Sequence, residues 1–210
     1  MLASWRVRSD FELLDAWALG DKRAAKELID RHFDAVYRFL ANKLRGGGVE
    51  DVVQDTFLAC VQGRDKFRRE ASFRTFVFAT ARNVLLYHFR KQRRAGEPFD
   101  PEQLSAVDLA PGPSSVVVHK DEQRLLLEAL RALPLEYQIA LELYHWEGLS
   151  GPELATVLEI TEAALRSRLH RAKVALRKQL EIIASSGVVL ESTLADLDQW
   201  AASLRAAVRR

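Results

Sequence analysis

The stretch SGPELATVLEITEAALRSRLHRAKVALRK, residues 150–178, has the pattern of two helices joined by a short turn. Ser150 and Glu153 form a capping box, in which the hydroxyl accepts from an amide and the carboxylate reaches back, so a helix begins here. That helix ends near Glu159, and Thr161 can cap a second, longer helix. The stretch therefore predicts a helix-turn-helix.

The second helix of this pair has a narrow apolar stripe and a polar face opposite to it. At 3.6 residues per turn the stripe consists of Leu165, Leu169, Ala172 and Leu176. The opposite face carries Ala163, Arg166, Ser167, His170 and Arg171. Arginine can bond guanine edges in bidentate fashion, serine can bond several bases, and alanine permits close approach, as a helix in the major groove requires. Arg168 and Lys173 flank the stripe and are predicted to reach phosphates. The alternative is an amphipathic basic helix without a ligand, which the capped helix before it disfavours.

Helical periodicity also runs through the rest of the chain and predicts an all-α protein. The predicted helices outside the pair cover residues 10–19, 21–44, 50–62, 72–94, 117–133 and 134–148. Residues 97–115 hold four of the six prolines and neither Lys nor Arg, which indicates a flexible acidic linker. The predicted organisation is two small helical domains and an extension: 1–96, a linker 97–117, 118–184, and a C-terminal helical extension 185–210.

The C-terminal extension has apolar residues spaced alternately by four and three positions, which predicts an amphipathic helix. These residues are Leu190, Leu194, Leu197, Ala201, Leu204 and Val208. The helix either folds back on one of the domains and modulates access to partners, or is a simple stabilising extension. Its role stays open.

Composition excludes several classes of protein. The chain has 210 residues, a net charge of +2 and a single cysteine, so an intramolecular disulfide is impossible and a reducing compartment is expected. No segment has the apolar length of a membrane span, which predicts a cytoplasmic protein without membrane insertion. There is no Walker loop, no His or Cys cluster at metal spacing and no G-x-S-x-G, so neither an enzyme nor a cofactor is predicted.

The predicted helix 50–62 has an acidic face. Val53, Phe57 and Cys60 form its buried stripe, and the opposite face carries Asp51, Gln54, Asp55 and Leu58. An apolar leucine within an acidic face suits a protein-docking patch. An ordinary solvated face is the alternative.

The predicted helix 72–94 is basic and aromatic, within a segment, 71–96, that lacks Asp and Glu. Its buried stripe is Phe73, Val77 and Val84, and another face carries Phe76, Asn83, Tyr87, Arg90 and Arg94. Aromatic rings can stack on unpaired bases, asparagine can bond base edges, and arginine can hold the backbone, a mixture that suits single-stranded nucleic acid. The alternative is that the aromatic residues are core and the arginines only solubilise the helix.

Taken together, four segments resemble a known family. They are LIDRHFDAVYRFL (28–40), EDVVQDTFL (50–58), FRREASFRTFVFATARN (67–83) and LEALRALPLEYQIALELYHWEGLSGPELATVLEITEAALRSRLHRAK (127–173). In this order and at this spacing they are similar to regions 2 and 4 of bacterial extracytoplasmic-function (ECF) sigma factors of the sigma-70 family, over about residues 10–96 and 120–182. Members of that family bind core RNA polymerase and direct it to promoters.

The resemblance assigns a role to each face. The acidic face, Asp51, Gln54, Asp55 and Leu58, matches the segment that docks on the clamp coiled coil of the polymerase β′ subunit. The part that recognises and opens the −10 element is matched by Phe67, Arg68, Ser72, Phe76, Asn83, Tyr87, Arg90 and Arg94. The −35 reader is matched by Arg166, Ser167, Arg168, His170 and Arg171.

The resemblance also implies partners and shows departures. The implied partners are core RNA polymerase through its β′ and β subunits, promoter DNA and, as for many relatives, an anti-sigma factor. Glu159 stands where the family usually has Gly, Ala163 and Ala164 replace a usual Gly-Thr, and Phe76 replaces a common Trp, so the promoter sequence stays open. A stand-alone helix-turn-helix regulator that binds duplex without polymerase is the alternative function.

Overall fold

The computed structural model describes residues 7–44, 48–67, 69–93, 97–109 and 121–183. The helices in this part of the chain are α1 Asp10–Ala18, α2 Lys22–Ala41, α3 Val49–Gly63, α4 Phe73–Gln92, α5 Ala106–Leu109, α6 Asp121–Arg131, α7 Leu135–Leu141, α8 Gly151–Leu158 and α9 Glu162–Ile183. A 3-10 turn, Arg64–Lys66, follows α3, and α7 continues as a π-helical segment, Glu142–Trp146. The predicted all-α fold is confirmed.

Side-chain caps begin α2 and α8. The carboxylate of Asp21 accepts from the amides of Arg23 and Ala24 at 2.8 and 3.1 Å and begins α2. The capping box of Ser150 and Glu153 begins α8. The predicted end of α2 near residue 44 is three residues too late, because the chain tightens after Ala41 and the Lys43 amide donates to the Leu40 carbonyl at 2.9 Å.

Helices α1 to α4 form the N-terminal half around one buried core. Its centre includes Leu28, Phe39, Phe78 and Leu85, each at most 2 % exposed. Phe33 of α2 is 41 % exposed and stacks on Phe57 with 5.9 Å between ring centroids. It therefore lies at the rim of the core.

Helices α6 to α9 form the C-terminal half, and this half packs directly on the first. Leu126, Leu130, Leu141 and Leu176 are buried between α6, α7 and α9. Helix α8 packs across α4, so that one continuous apolar cluster runs through both halves. Two halves that are separate along the sequence thus share a core.

The first part of the predicted linker is not free but packed on the C-terminal half. The carbonyls of Pro101 and Leu104 accept from the amides of Glu136 and Leu135 at 3.0 and 2.8 Å. The first amides of a helix have no partner within it, so the linker supplies acceptors that α7 lacks. Ala106 in α5 is fully buried. The second part of the linker and the C-terminal extension lie outside the described residues.

None of the helices among the described residues is long and apolar enough to cross a membrane.

Cys60, the single cysteine, is buried. Burial raises the pKa of the Cys60 thiol to about 11, against a smaller opposing effect of its hydrogen bond with Thr80. The thiol is therefore protonated at neutral pH and a poor nucleophile.

Candidate polymerase and DNA interfaces

The acidic face of α3 is exposed as predicted. Asp51, Gln54 and Asp55 point to solvent, and Leu58 is 51 % exposed among them. The opposite side of the helix is buried through Val53, Phe57 and Cys60, the three residues of the predicted stripe. Neither Asp51 nor Asp55 has an ion pair within the described part of the chain, so both charges are available to a partner.

The charges of Asp55 and Asp51 act on His88 of α4, which would neutralise part of this face if its imidazole were charged. Burial lowers the pKa of His88, and a smaller effect of Lys91 acts in the same direction, whereas the charges of Asp55 and Asp51 oppose them. The imidazole is therefore neutral at pH 7. The acidic face keeps its negative charge.

The loop between α3 and α4 rests on an aromatic cluster. The Phe67 ring lies 4.9 Å from that of Phe76 and 6.2 Å from that of Phe73. Gly63 makes room for this cluster, since a Cβ there would stand 3.3 Å from Phe76 Cζ. Phe76, predicted to share a face of α4 with Asn83 and Tyr87, is half-buried, because the loop between α3 and α4 folds over it.

Two polar anchors hold the ends of this loop. Arg69 has a left-handed backbone, with φ of 60°, and its guanidinium pairs with Asp15 of α1. Ser72 caps α4, its Oγ accepting from the Thr75 amide at 3.1 Å. The same hydroxyl donates to Glu153 of the C-terminal half at 3.1 Å. Arg68 lies outside the described residues.

The exposed face of α4 consists of Asn83, Tyr87 and Arg90 in one row. Tyr87 is 61 % exposed, and the Arg90 guanidinium lies 5.6 Å from the ring centroid of Phe99. The Asn83 Oδ1 accepts from Arg82 at 3.3 Å, and its NH₂ has no hydrogen-bond partner among the described residues. The next predicted member of the row, Arg94, lies outside the described residues.

Helix α9 exposes the predicted reading face. Arg166, Ser167, His170 and Arg171 are all exposed, whereas Leu165, Ala172 and Leu176 are buried and Leu169 is half-buried. Glu159 ends α8 with φ of 57°, a conformation that favours glycine and costs a side chain about 1–2 kcal/mol. The turn thus keeps a left-handed geometry without glycine.

Arg168 was predicted to reach phosphates, and the structure contradicts this. It is only 9 % exposed, and its guanidinium donates to Glu136 at 2.9 Å and to Glu102 of the linker at 2.6 Å. The linker packs over this side of α9. The periodicity of the helix alone does not reveal such a contact. Arg168 therefore holds the linker and α7 on α9.

Two arginines of the basic helix gain partners that were not predicted. Arg74 pairs with Glu147 at 2.8 Å, and Arg82 pairs with Glu136 at 2.5 Å. Both glutamates are buried in the C-terminal half. Glu136 gave a signal in the sequence, since it stands beside the apolar residues of α7 and a buried charge requires a partner.

Comparison with known proteins matches both halves of the chain to one family. Residues 28–95 match the model for Sigma-70 region 2, and residues 123–176 match the model for Sigma-70, region 4. The chain is 24% identical over 181 residues to the ECF RNA polymerase sigma-E factor of Escherichia coli (strain K12), covering 82% of this chain and 95% of that protein. It is also 32% identical over 134 residues to the probable RNA polymerase sigma factor RfaY of Xanthomonas campestris, covering 62% of this chain and 34% of that protein.

Solved structures show the same fold. CnrH in complex with the cytosolic domain of CnrY matches with a TM-score of 0.62 and 26% identity, covering 84% of this chain and 100% of that chain. The sigma factor RpoE in complex with the anti-sigma factor NepR from Bartonella quintana matches with a TM-score of 0.57 and 21% identity, covering 76% and 98%. Because the two family models together span more than half of the chain, in the order of the sigma-70 regions, the chain belongs to the sigma-70 family and is an ECF-type RNA polymerase sigma factor.

Proposed function

We propose that this sigma factor divides promoter recognition among three faces. The acidic face of α3 docks on core RNA polymerase at the β′ clamp coiled coil. The loop 67–72 and the row Asn83, Tyr87 and Arg90 bind unpaired bases at −10. The exposed face of α9 binds duplex at −35. The observation that carries the proposal is that these faces, on three different helices, are exposed although both halves are otherwise closely packed.

The proposed mechanism is binding rather than catalysis. Ligands that bind only unpaired bases shift the duplex toward the open state by their differential affinity for it. Tyr87 can stack on a base, Asn83 can bond a base edge, and Arg90 can hold the backbone. The −35 contact and the docked polymerase raise the effective concentration of these groups at −10, so each contact can be weak alone.

The proposed partners follow from the same division of roles. They are promoter DNA and core RNA polymerase, the latter through its β′ and β subunits. Since these partners are cytoplasmic in bacteria, the proposed place of action of the chain is the cytoplasm. The solved structures with the same fold contain CnrY and the anti-sigma factor NepR, respectively. An anti-sigma factor is therefore also a proposed partner of this chain.

Run-off transcription with core RNA polymerase over a promoter library tests the proposal. Core enzyme plus this chain should yield discrete promoter-directed transcripts that core enzyme alone does not. Size-exclusion chromatography should show co-elution of the chain with core enzyme. Tight duplex binding by the chain alone, without co-elution and without transcripts, would instead support the stand-alone regulator.

Replacing Asn83 by alanine should weaken base discrimination at −10. We expect the ratio of transcription with the preferred −10 base to transcription with a substituted base to fall about tenfold. The reason is that a lost base-edge contact is worth about 1–3 kcal/mol. Transcription from a substitution series at each −10 position measures this. Gln92→Ala, exposed at the end of the same helix, is the matched control. Unchanged promoter preference would assign Asn83 to the structure alone.

A further inference from the structure

The exposed side of α9 continues beyond the predicted reading face as a surface of another kind. Val174 and Ile182 are 58 % and 68 % exposed, and Lys178 lies between them in the same row, four residues from each. Such a row spans about 12 Å along an α-helix. A helix in the major groove contacts base edges with its N-terminal residues, so base reading does not account for this apolar pair.

This surface is continuous with the apolar core of the C-terminal half. Ala175 and Ile183, both half-buried, pack against that core and connect it with the exposed pair. We name these four apolar residues, together with Lys178, the end surface of α9. Because it adjoins a core, a further apolar segment that covers the end surface would enlarge the core and be stabilised by burial.

Cations without ion pairs border the end surface. Lys173 and Lys178 are both exposed, and neither has an ion-pair partner within the residues that the structure describes. Arg177, the cation between them, is paired with Glu181 at 3.3 Å. The end surface therefore combines apolar side chains with unpaired positive charge. Complementarity of charge favours a partner helix that carries carboxylates beside its apolar stripe.

The C-terminal extension of the chain has such a sequence. Its apolar residues recur at alternate spacings of four and three from Leu190 to Val208, and an apolar stripe of this kind is normally buried. Between residues 184 and 204 there is no Lys, Arg or His, and the acidic residues are Glu191, Asp196 and Asp198. On the predicted helix, Glu191 and Asp198 border the stripe on one side and Asp196 borders it on the other.

The connection between α9 and the extension has the length of a turn between two antiparallel helices. Residues 184–189 separate Ile183, the last residue of α9, from Leu190, and they include two serines and a glycine. Connections between neighbouring helices commonly have about two to eight residues, and serine and glycine favour turns. A helix that returns along α9 from this turn brings its first leucines level with the end surface.

We propose that the end surface of α9 is the docking site of the C-terminal extension of the same chain. The extension packs as an antiparallel helix, with its leucines on Val174 and Ile182 and its carboxylates beside Lys173 and Lys178. The docked helix withholds both lysines from phosphates and so competes with duplex DNA for this part of α9. This competition rests on the proposed function, because it assumes that α9 binds duplex.

Duplex DNA can displace the extension. Phosphates and carboxylates are both good acceptors for an ammonium group, so the two lysines exchange one anionic partner for another. An isolated helix of the length of residues 190–208 is marginal in water, so the extension is helical only while it is docked. Docking is therefore a local equilibrium that a competing ligand shifts by its preference for the undocked chain.

Amide hydrogen exchange of the full-length chain tests the docking. We expect the amides of residues 190–208 to be protected and to lose about tenfold or more of this protection in the variant Val174→Asp with Ile182→Asp. The amides of α8 should stay protected, since both replaced side chains are exposed. An extension that is unprotected in the parent chain, or equally protected in the variant, overturns the docking site. Protection that rises with protein concentration would identify a second copy as the partner and would also overturn it.

Variants of the extension test the competition, and they remain informative where the α9 variant does not fold. Leu194→Asp with Leu197→Asp should bind a short fluorescent duplex of mixed sequence about tenfold more tightly and with a steeper salt dependence, because two more lysines then contact phosphates. Added negative charge alone would weaken binding. Ala195→Asp with Ala202→Asp, on the opposite side of the predicted helix, adds the same charge and should not raise the affinity. Unchanged or lower affinity of the leucine variant would refute the competition.

Run-off transcription separates this inference from the proposed function. Transcripts from a chain whose extension is unprotected refute only the inference. An extension that is protected, and that the variants release, refutes only the function if the chain yields no transcripts.

Discussion

Replacing both Asp51 and Asp55 by arginine is expected to abolish co-elution of the chain with core RNA polymerase and to lower promoter-directed transcription at least about hundredfold. Both carboxylates are exposed on α3 and lack an ion pair among the described residues, so their charges are available to the proposed partner. Reversal replaces attraction by repulsion at two neighbouring positions, and like charges brought together at an interface cost several kcal/mol. Transcription and size-exclusion chromatography with core enzyme measure the effect.

The matched control reverses two aspartates on another helix of the same half. Asp30→Arg with Asp34→Arg, both exposed on α2, causes the same change in net charge. This control variant should still co-elute with core enzyme and support transcription. Equal loss in both variants would show a general effect of charge, and full activity of the α3 variant would remove the acidic face from the docking site.

Leu58 provides a second, apolar part of the same surface. At 51 % exposure it lies beside Val61, which is 42 % exposed. Protein interfaces commonly combine a small apolar centre with a polar rim. The acidic face would then contribute orientation and rate of association, and the apolar pair would contribute to the lifetime of the complex.

The predictable parts of the fold depend on neighbours in sequence. Helix α9 is amphipathic with period 3.6, so Leu165 and Leu176 were correctly predicted as buried and Arg166 and Arg171 as exposed. Caps are equally local, because Asp21 and Ser150 bond amides two or three residues away. Element type and orientation follow from such patterns without knowledge of the tertiary fold.

The parts that were not predictable depend on contacts between distant segments. Arg168 is 66 residues from its partner Glu102, and Ser72 is 81 residues from Glu153. The period of a helix gives the direction of each side chain but not what lies in that direction, which is why the burial of Arg168 and the partial burial of Phe76 could not be predicted. The packing of residues 97–109 was missed because proline-rich composition indicates only irregular structure, not whether it is bound.

The ion pairs between the two halves explain how a strongly basic segment occurs in a chain of small net charge. The basic segment 71–96 has no acidic residue of its own, but Glu147 and Glu136 of the other half pair with its Arg74 and Arg82. Arg74 and Arg82, paired in this way, are less available to the phosphates of DNA. This would favour specific recognition on polymerase over non-specific binding to phosphates.

Replacing Arg166 and Arg171 together by alanine is expected to lower transcription from a −35-dependent promoter about thirtyfold or more. Both side chains are exposed on α9, and each bidentate arginine contact with a base is worth about 1–3 kcal/mol. The pair Arg177→Ala and Lys178→Ala, exposed further along the same helix, removes equal charge and should reduce transcription only severalfold. Core enzyme should still co-elute with both variants, since α3 is unchanged. Run-off transcription from promoters with and without the −35 element measures the difference, and equal loss on both promoters would show that these arginines bind phosphate without reading −35.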